Sequence, residues 1–124
     1  MSDRQTEGKK AEWREIGAIQ EFADNQVHGV SVDDIKLIIV KLGSSVFCFA
    51  DRCSHQDVPL SAFAEVDPCQ RELICHAHGA RFSLDLDGEA AFQSPIKPLT
   101  SFPCRVKGKM LQVNIGFSSR SFLG

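Results

Sequence analysis

Residues 74–90 read ICHAHGARFSLDLDGEA. The first half sets one thiol, Cys75, beside two imidazoles, His76 and His78, all candidate metal ligands. The second half is a hairpin signal: ARFSLDL, then Asp87-Gly88, then EAAF, with the Asp-Gly pair suited to a tight turn between strands. The same grammar recurs on both sides. IKLIIVKL (35–42), a Gly43-Ser44-Ser45 turn and VFCFA (46–50) predict a second hairpin. CRV (104–106), Lys107-Gly108-Lys109 and MLQVNI (110–115) predict a third, whose last strand alternates Leu111, Val113 and Ile115 with Met110, Gln112 and Asn114. Helix is expected at most once, at SVDD (31–34) or EFADN (21–25). The chain is therefore expected to be all-β, an antiparallel sandwich or partly open barrel. Residues 51–98, rich in Cys, His and Pro, interrupt the strands as an inserted lobe. The expected organisation is a flexible leader (1–10), one domain (11–117) with its base in 11–50 and 99–117, and a tail (118–124).

Composition narrows the function. A chain of 124 residues, 43% hydrophobic and 24% charged, has the size and balance of one domain. Its formal net charge of -2 and lack of a long basic block argue against nucleic acid. The N-terminus MSDRQTEGKKAEW has no apolar segment, and the longest aliphatic run, Leu37 to Val40, cannot span a bilayer, so a cytoplasmic protein without membrane contact is expected. Five cysteines, an odd number without a secretion signal, favour metal binding over a disulfide framework. No dinucleotide or phosphate-loop motif is present, so any redox chemistry must draw its reductant from elsewhere.

Cys53 and His55 in DRCSHQD form a C-x-H pair, and after 19 intervening residues Cys75 and His78 form C-x-x-H. Structural zinc fingers usually place two cysteines on one knuckle and two histidines on the other. Here both knuckles are mixed, which suits two irons gripped from opposite sides by matching loops.

On these residues the sequence resembles the Rieske proteins. CSHQDVPL (53–60) is similar to the family's first cluster loop, CHAHGARFSLDLDGEA (75–90) to its second loop and hairpin, and SPIKPL (94–99) to its covering proline loop. The resemblance spans roughly residues 11 to 116 and implies a Rieske-like sandwich with one [2Fe-2S] cluster per chain. It assigns Cys53 and Cys75 to the inner iron and His55 and His78 to the outer one, with Gly79 allowing a tight turn and Pro95 shielding the site. His76 is then no ligand, since neighbouring side chains on extended backbone point to opposite sides.

The resemblance further implies a one-electron carrier of the ferredoxin type, not catalytic alone and monomeric. It would connect an NAD(P)H-dependent flavoprotein reductase to a terminal oxygenase in aromatic hydrocarbon catabolism. The alternatives are a small subunit of an assimilatory nitrite reductase and, further off, a structural zinc module. A stand-alone oxygenase using His28, His76 and a carboxylate is argued against by chain length. High-potential members add a disulfide between the loops and hydroxyls beside the sulfurs. Val58 and Ala77 stand at the disulfide positions here, and Ala80 and Phe82 at the serine and tyrosine positions. A low potential follows, since hydrogen bonds to sulfur favour the reduced cluster.

Simpler roles are expected for the remaining candidates. Cys48 and Cys104 fill core, Cys69 is an exposed thiol, His28 has no role, and Trp13 and Phe102 are core aromatics. Asp51, Asp57, Asp85, Asp87 and Glu89 form either an acidic docking rim or a solvated face.

Overall fold

The computed structural model describes residues 12–53, 58–77, 79–85, 89–90 and 99–116. In chain order it contains β1 (Trp13–Ala18), a 3-10 turn (Ile19–Glu21), β2 (Val27–Val32), β3 (Ile35–Leu42), β4 (Ser45–Ala50) and α1 (Leu60–Phe63). There follow β5 (Ala64–Asp67), β6 (Glu72–Cys75), β7 (Ala80–Ser83), β8 (Glu89–Ala90), β9 (Cys104–Lys107) and β10 (Met110–Asn114). Among the described residues the strands form three antiparallel sheets, ordered β1-β10-β9, β2-β3-β4 and β5-β6-β7-β8. No described helix is long and apolar enough to cross a membrane.

Two of the expected hairpins form as read. Gly43 (φ 60°) turns β3 into β4, with Leu42 opposite Ser45, and Gly108 (φ 65°) turns β9 into β10. Left-handed backbone of this kind suits glycine. At the third, β7 pairs with β8 through Phe82–Ala90 and Ser83–Glu89, while the Asp87-Gly88 turn lies outside the described residues. So do the leader and tail. The helix expectation fails at SVDD: Asp33 (φ 49°) and Asp34 (φ 69°) make a two-residue turn joining β2 to β3, with Val32 opposite Ile35. Aspartate tolerates left-handed backbone better than most residues, and a primed turn matches strand twist. At EFADN only Glu21 is helical, as the end of the 3-10 turn.

The run IKLIIVKL has no clean alternation because β3 is buried on both faces. Leu37 and Ile39 pack with Cys48, Phe102, Leu111 and Val113. Ile38 and Val40 pack with Phe49, Leu60, Leu73, Phe82 and Leu99. The central sheet thus joins two cores, one shared with β9 and β10 and the other with β6 and β7. Burying each such side chain contributes about 1.5–3 kcal/mol. Phe102 is a core aromatic as expected, but Trp13 is only half-buried, with the Arg105 guanidinium carbon 3.8 Å from its ring centroid. His28 donates from Nε2 to the Ala23 carbonyl (3.0 Å) and meets Phe22 edge to face.

Cys48 is buried, and the half-buried Cys104 donates its thiol to the Val46 carbonyl at 3.3 Å. Burial pushes Cys104 up to about 11, and burial first, then nearby Cys104, pushes Cys48 well above the ordinary thiol range. A thiol whose folded pKa exceeds its unfolded value of about 8.5 stabilises the fold fully below that value and loses the contribution as pH rises through the folded pKa. Stability should therefore fall between about pH 8.5 and pH 11. The chain has no tyrosine to titrate alongside. Urea unfolding across this window should show a shallower slope in Cys104→Ala, and an unchanged slope would reject the assignment.

Candidate metal centre

The two cysteines of the mixed knuckles come from different elements and meet in one core. Cys53 lies just past β4 and Cys75 ends β6; both are almost fully buried, at 2% and 1% exposure. They share a cluster with Leu60, Leu73, Phe82, Leu84 and Leu99, a water-poor setting. Burial is the main cause of the raised pKa of Cys75; the Ala77 amide opposes it, and hydrogen bonding and charge from the neighbouring Cys53 raise it further. The Cys75 thiol in such a place resists ionisation alone, and a bound cation would relieve it.

Local sequence shapes each loop. The Cys53 amide donates to the Val58 carbonyl (2.9 Å), which ties the two described ends of the first loop together. In the second, Cys75 pairs with Ala80, and the Gly79 amide donates to the Cys75 carbonyl at 2.8 Å. Gly79 has φ 73°, which a side chain would strain although open space surrounds it. His55, His78 and Pro95 lie outside the described residues. Among the described residues no three or more candidate metal donors converge, so the thiols stand as a pair.

His76 points away from the core. It is 56% exposed, and its Nε2–H donates to the Glu65 carboxylate at 2.7 Å. All five cysteines are free, and Val58 and Ala77 both pack against the thiol-bearing core, so no disulfide joins the loops. Cys69 is exposed.

Of the five carboxylates expected as an acidic rim or a solvated face, the two whose side chains are described, Asp51 and Asp85, have internal partners. Arg71 grips Asp85 with two hydrogen bonds, at 2.8 and 3.1 Å, which holds that carboxyl below its usual range. Asp67 is lowered too, first by the Gln70 amide and then by Arg81, which also bridges to Glu72. Asp51 accepts from Ser61, through the amide at 2.7 Å and the hydroxyl at 2.6 Å. Asp57 and Asp87 lie outside the described residues, as does the Glu89 side chain. Sequence reading missed Glu65 and Ser61, since no spacing rule marks either.

Residues 12–103 match the family described as the Rieske [2Fe-2S] domain. The chain belongs to this family. Its implied cofactor is a Rieske [2Fe-2S] cluster, and the buried thiol pair fits the cysteine half of that centre. The anthranilate 1,2-dioxygenase ferredoxin subunit of Burkholderia cepacia is 29% identical over 112 residues, 90% of this chain and 99% of that one. Two solved structures share the Rieske fold. One is a chain in the complex of reduced oxygenase and oxidized ferredoxin in carbazole 1,9a-dioxygenase (TM-score 0.73, 24% identity, covering 88% of this chain and 97% of that one). The other is a putative NADH-dependent nitrite reductase small subunit from Mycobacterium tuberculosis (TM-score 0.71, 18% identity, 90% and 98%). At these identities the structural likeness concerns the fold alone.

Proposed function

We propose that this Rieske protein is the ferredoxin component of a multicomponent aromatic-ring dioxygenase. It is a cytoplasmic monomer that accepts single electrons from an NAD(P)H-dependent flavoprotein reductase and delivers them to a terminal oxygenase. Cys53 and Cys75 hold one iron, His55 and His78 the other, and residues 51–98 form the cluster-bearing lobe between base segments 11–50 and 99–117. Bound there, the cluster supplies reversible one-electron chemistry and nothing further. The chain's part is to hold the thiolates in a dry, closed setting and to bring the loops within a partner's reach. The observation that carries this reading is the pair of buried cysteines, one from each loop, that meet in one core. The end-to-end relation to a dioxygenase ferredoxin subunit supports the partners.

Purified protein should contain iron and acid-labile sulfide in equal amounts and give a Rieske-type EPR signal on reduction. Zinc without sulfide would end the proposal. A flavoprotein reductase with NADH should reduce it, and an aromatic-ring oxygenase should reoxidise it. Stable co-purification with a sirohaem enzyme would instead favour the nitrite reductase subunit reading, whose fold likeness is slightly lower (TM-score 0.71 against 0.73).

A further inference from the structure

Both cysteine-bearing loops are tied to one short segment, Pro59–Glu65. The Asp51 amide donates to the Lys36 carbonyl of β3 (2.9 Å), which fixes its backbone to the central sheet two residues before Cys53. Its carboxylate then reaches Ser61, accepting from the amide at 2.7 Å and the hydroxyl at 2.6 Å. An amide in the first turn of α1 has no acceptor within the helix, so the carboxylate supplies what the helix cannot. The first loop is closed twice, inside by Cys53 and Val58 and outside by Asp51 and Ser61.

The far end of the same segment holds the second loop. The Phe63 carbonyl accepts from the His76 amide at 2.8 Å, and the Glu65 carboxylate accepts from the His76 ring at 2.7 Å. Between these ends, fully buried Leu60 anchors the segment in the core that contains both thiols. From the other side β2 closes in: a Cβ on Gly29 would stand 3.0 Å from the Ser61 Cβ, so a bulkier residue there would push Ser61 away.

We propose that Pro59–Glu65 is a bracket that sets the spacing of the two loops, with Asp51 and Glu65 as its positioning residues. The inference rests on the reading that Cys53 and Cys75 bind the cluster. Neither carboxylate touches a thiol; each acts through the loop it ties. The Glu65–His76 pair is solvent-exposed and weak alone, as such pairs are. Asp51 is the stronger tie, because two donors meet one charged acceptor.

The test uses the cluster-loaded protein and variants Asp51→Ala, Asp51→Asn, Glu65→Ala and Glu65→Gln. Three quantities are read: iron release to a ferrous chelator after dithionite reduction, EPR linewidth, and thermal unfolding midpoint. Asp51→Ala should release iron roughly tenfold faster with a broadened signal. Glu65→Ala should do so more weakly, and the Asn and Gln variants should recover most of the loss. Release within about twofold of the unsubstituted protein in both alanine variants, with an unchanged spectrum, would overturn the bracket alone. So would a lowered melting midpoint with an unchanged spectrum, which marks a merely structural role. If Asp51→Ala does not fold, Ser61→Ala, which removes one of the two ties, is judged by the same criteria. Unsubstituted protein without iron and sulfide would overturn the cluster reading itself, and the bracket with it.

Discussion

Replacing His78 by alanine should leave the purified protein without iron or acid-labile sulfide, whereas replacing His76 should leave both in place. The two imidazoles are separated by one residue, yet their expected roles are opposite. His76 follows Cys75 directly, and in the structure the two diverge: the thiol enters the core at 1% exposure while the imidazole stands in solvent against Glu65. A ligand role for His76 would require breaking that contact and the hydrogen bond from its amide to the Phe63 carbonyl, and swinging the ring inward. His78 instead precedes Gly79, whose left-handed backbone reverses the chain toward Ala80 and the thiol-bearing face. Losing an imidazole ligand strips one iron of half its protein donors, and an Fe-S centre exposed in this way does not persist. Cys53→Ala and Cys75→Ala should be equally severe. Iron and sulfide analysis with visible spectra would decide, and a His76 variant that loses the cluster beside a His78 variant that keeps it would overturn the assignment.

What the sequence discloses and what it hides follow from how local each signal is. The β3–β4 and β9–β10 turns are legible because Gly43 and Gly108 sit where the backbone needs positive φ. That Cys53 and Cys75 belong together is suggested by the matching mixed knuckles in which they stand, and the two do share one buried core. Asp33-Asp34 misleads because acidic residues suit helix starts as well as tight turns, and only pairing of Val32 with Ile35 selects the turn. The burial of β3 on both faces is invisible locally, since a continuous apolar run does not say how many sheets will cover it. Trp13 is half-exposed because β1 is an edge strand beside β10. The ties from Asp51 to Ser61 and from His76 to Glu65 cross 10 and 11 residues between ordinary polar side chains, so nothing in the string marks them.

Phe82→Tyr and Ala80→Ser should raise the reduction potential, each by roughly 65–130 mV. The argument begins with the pleat. Leu73 pairs with Phe82 and Cys75 with Ala80, so these four side chains share the buried face of the β6–β7 ladder. A hydroxyl added at either position therefore points to the side that holds the Cys75 sulfur. Phe82 is fully buried, so a new phenol must find an acceptor or carry a desolvation cost of roughly 1–3 kcal/mol. Cluster and cysteine sulfurs are the acceptors whose charge grows on reduction. A hydrogen bond to a charged acceptor contributes about 1.5–3 kcal/mol. With 59 mV per tenfold change for one electron, a bond made mainly to the reduced state gives the stated shift. The unsubstituted protein should accordingly lie near the low end of the family's range of about -150 to +300 mV. Protein-film voltammetry on the single and double variants measures this directly. A clearly positive potential in the unsubstituted protein, or variants whose clusters assemble with unchanged potentials, would show that hydroxyl contacts at 80 and 82 do not set the potential of this centre.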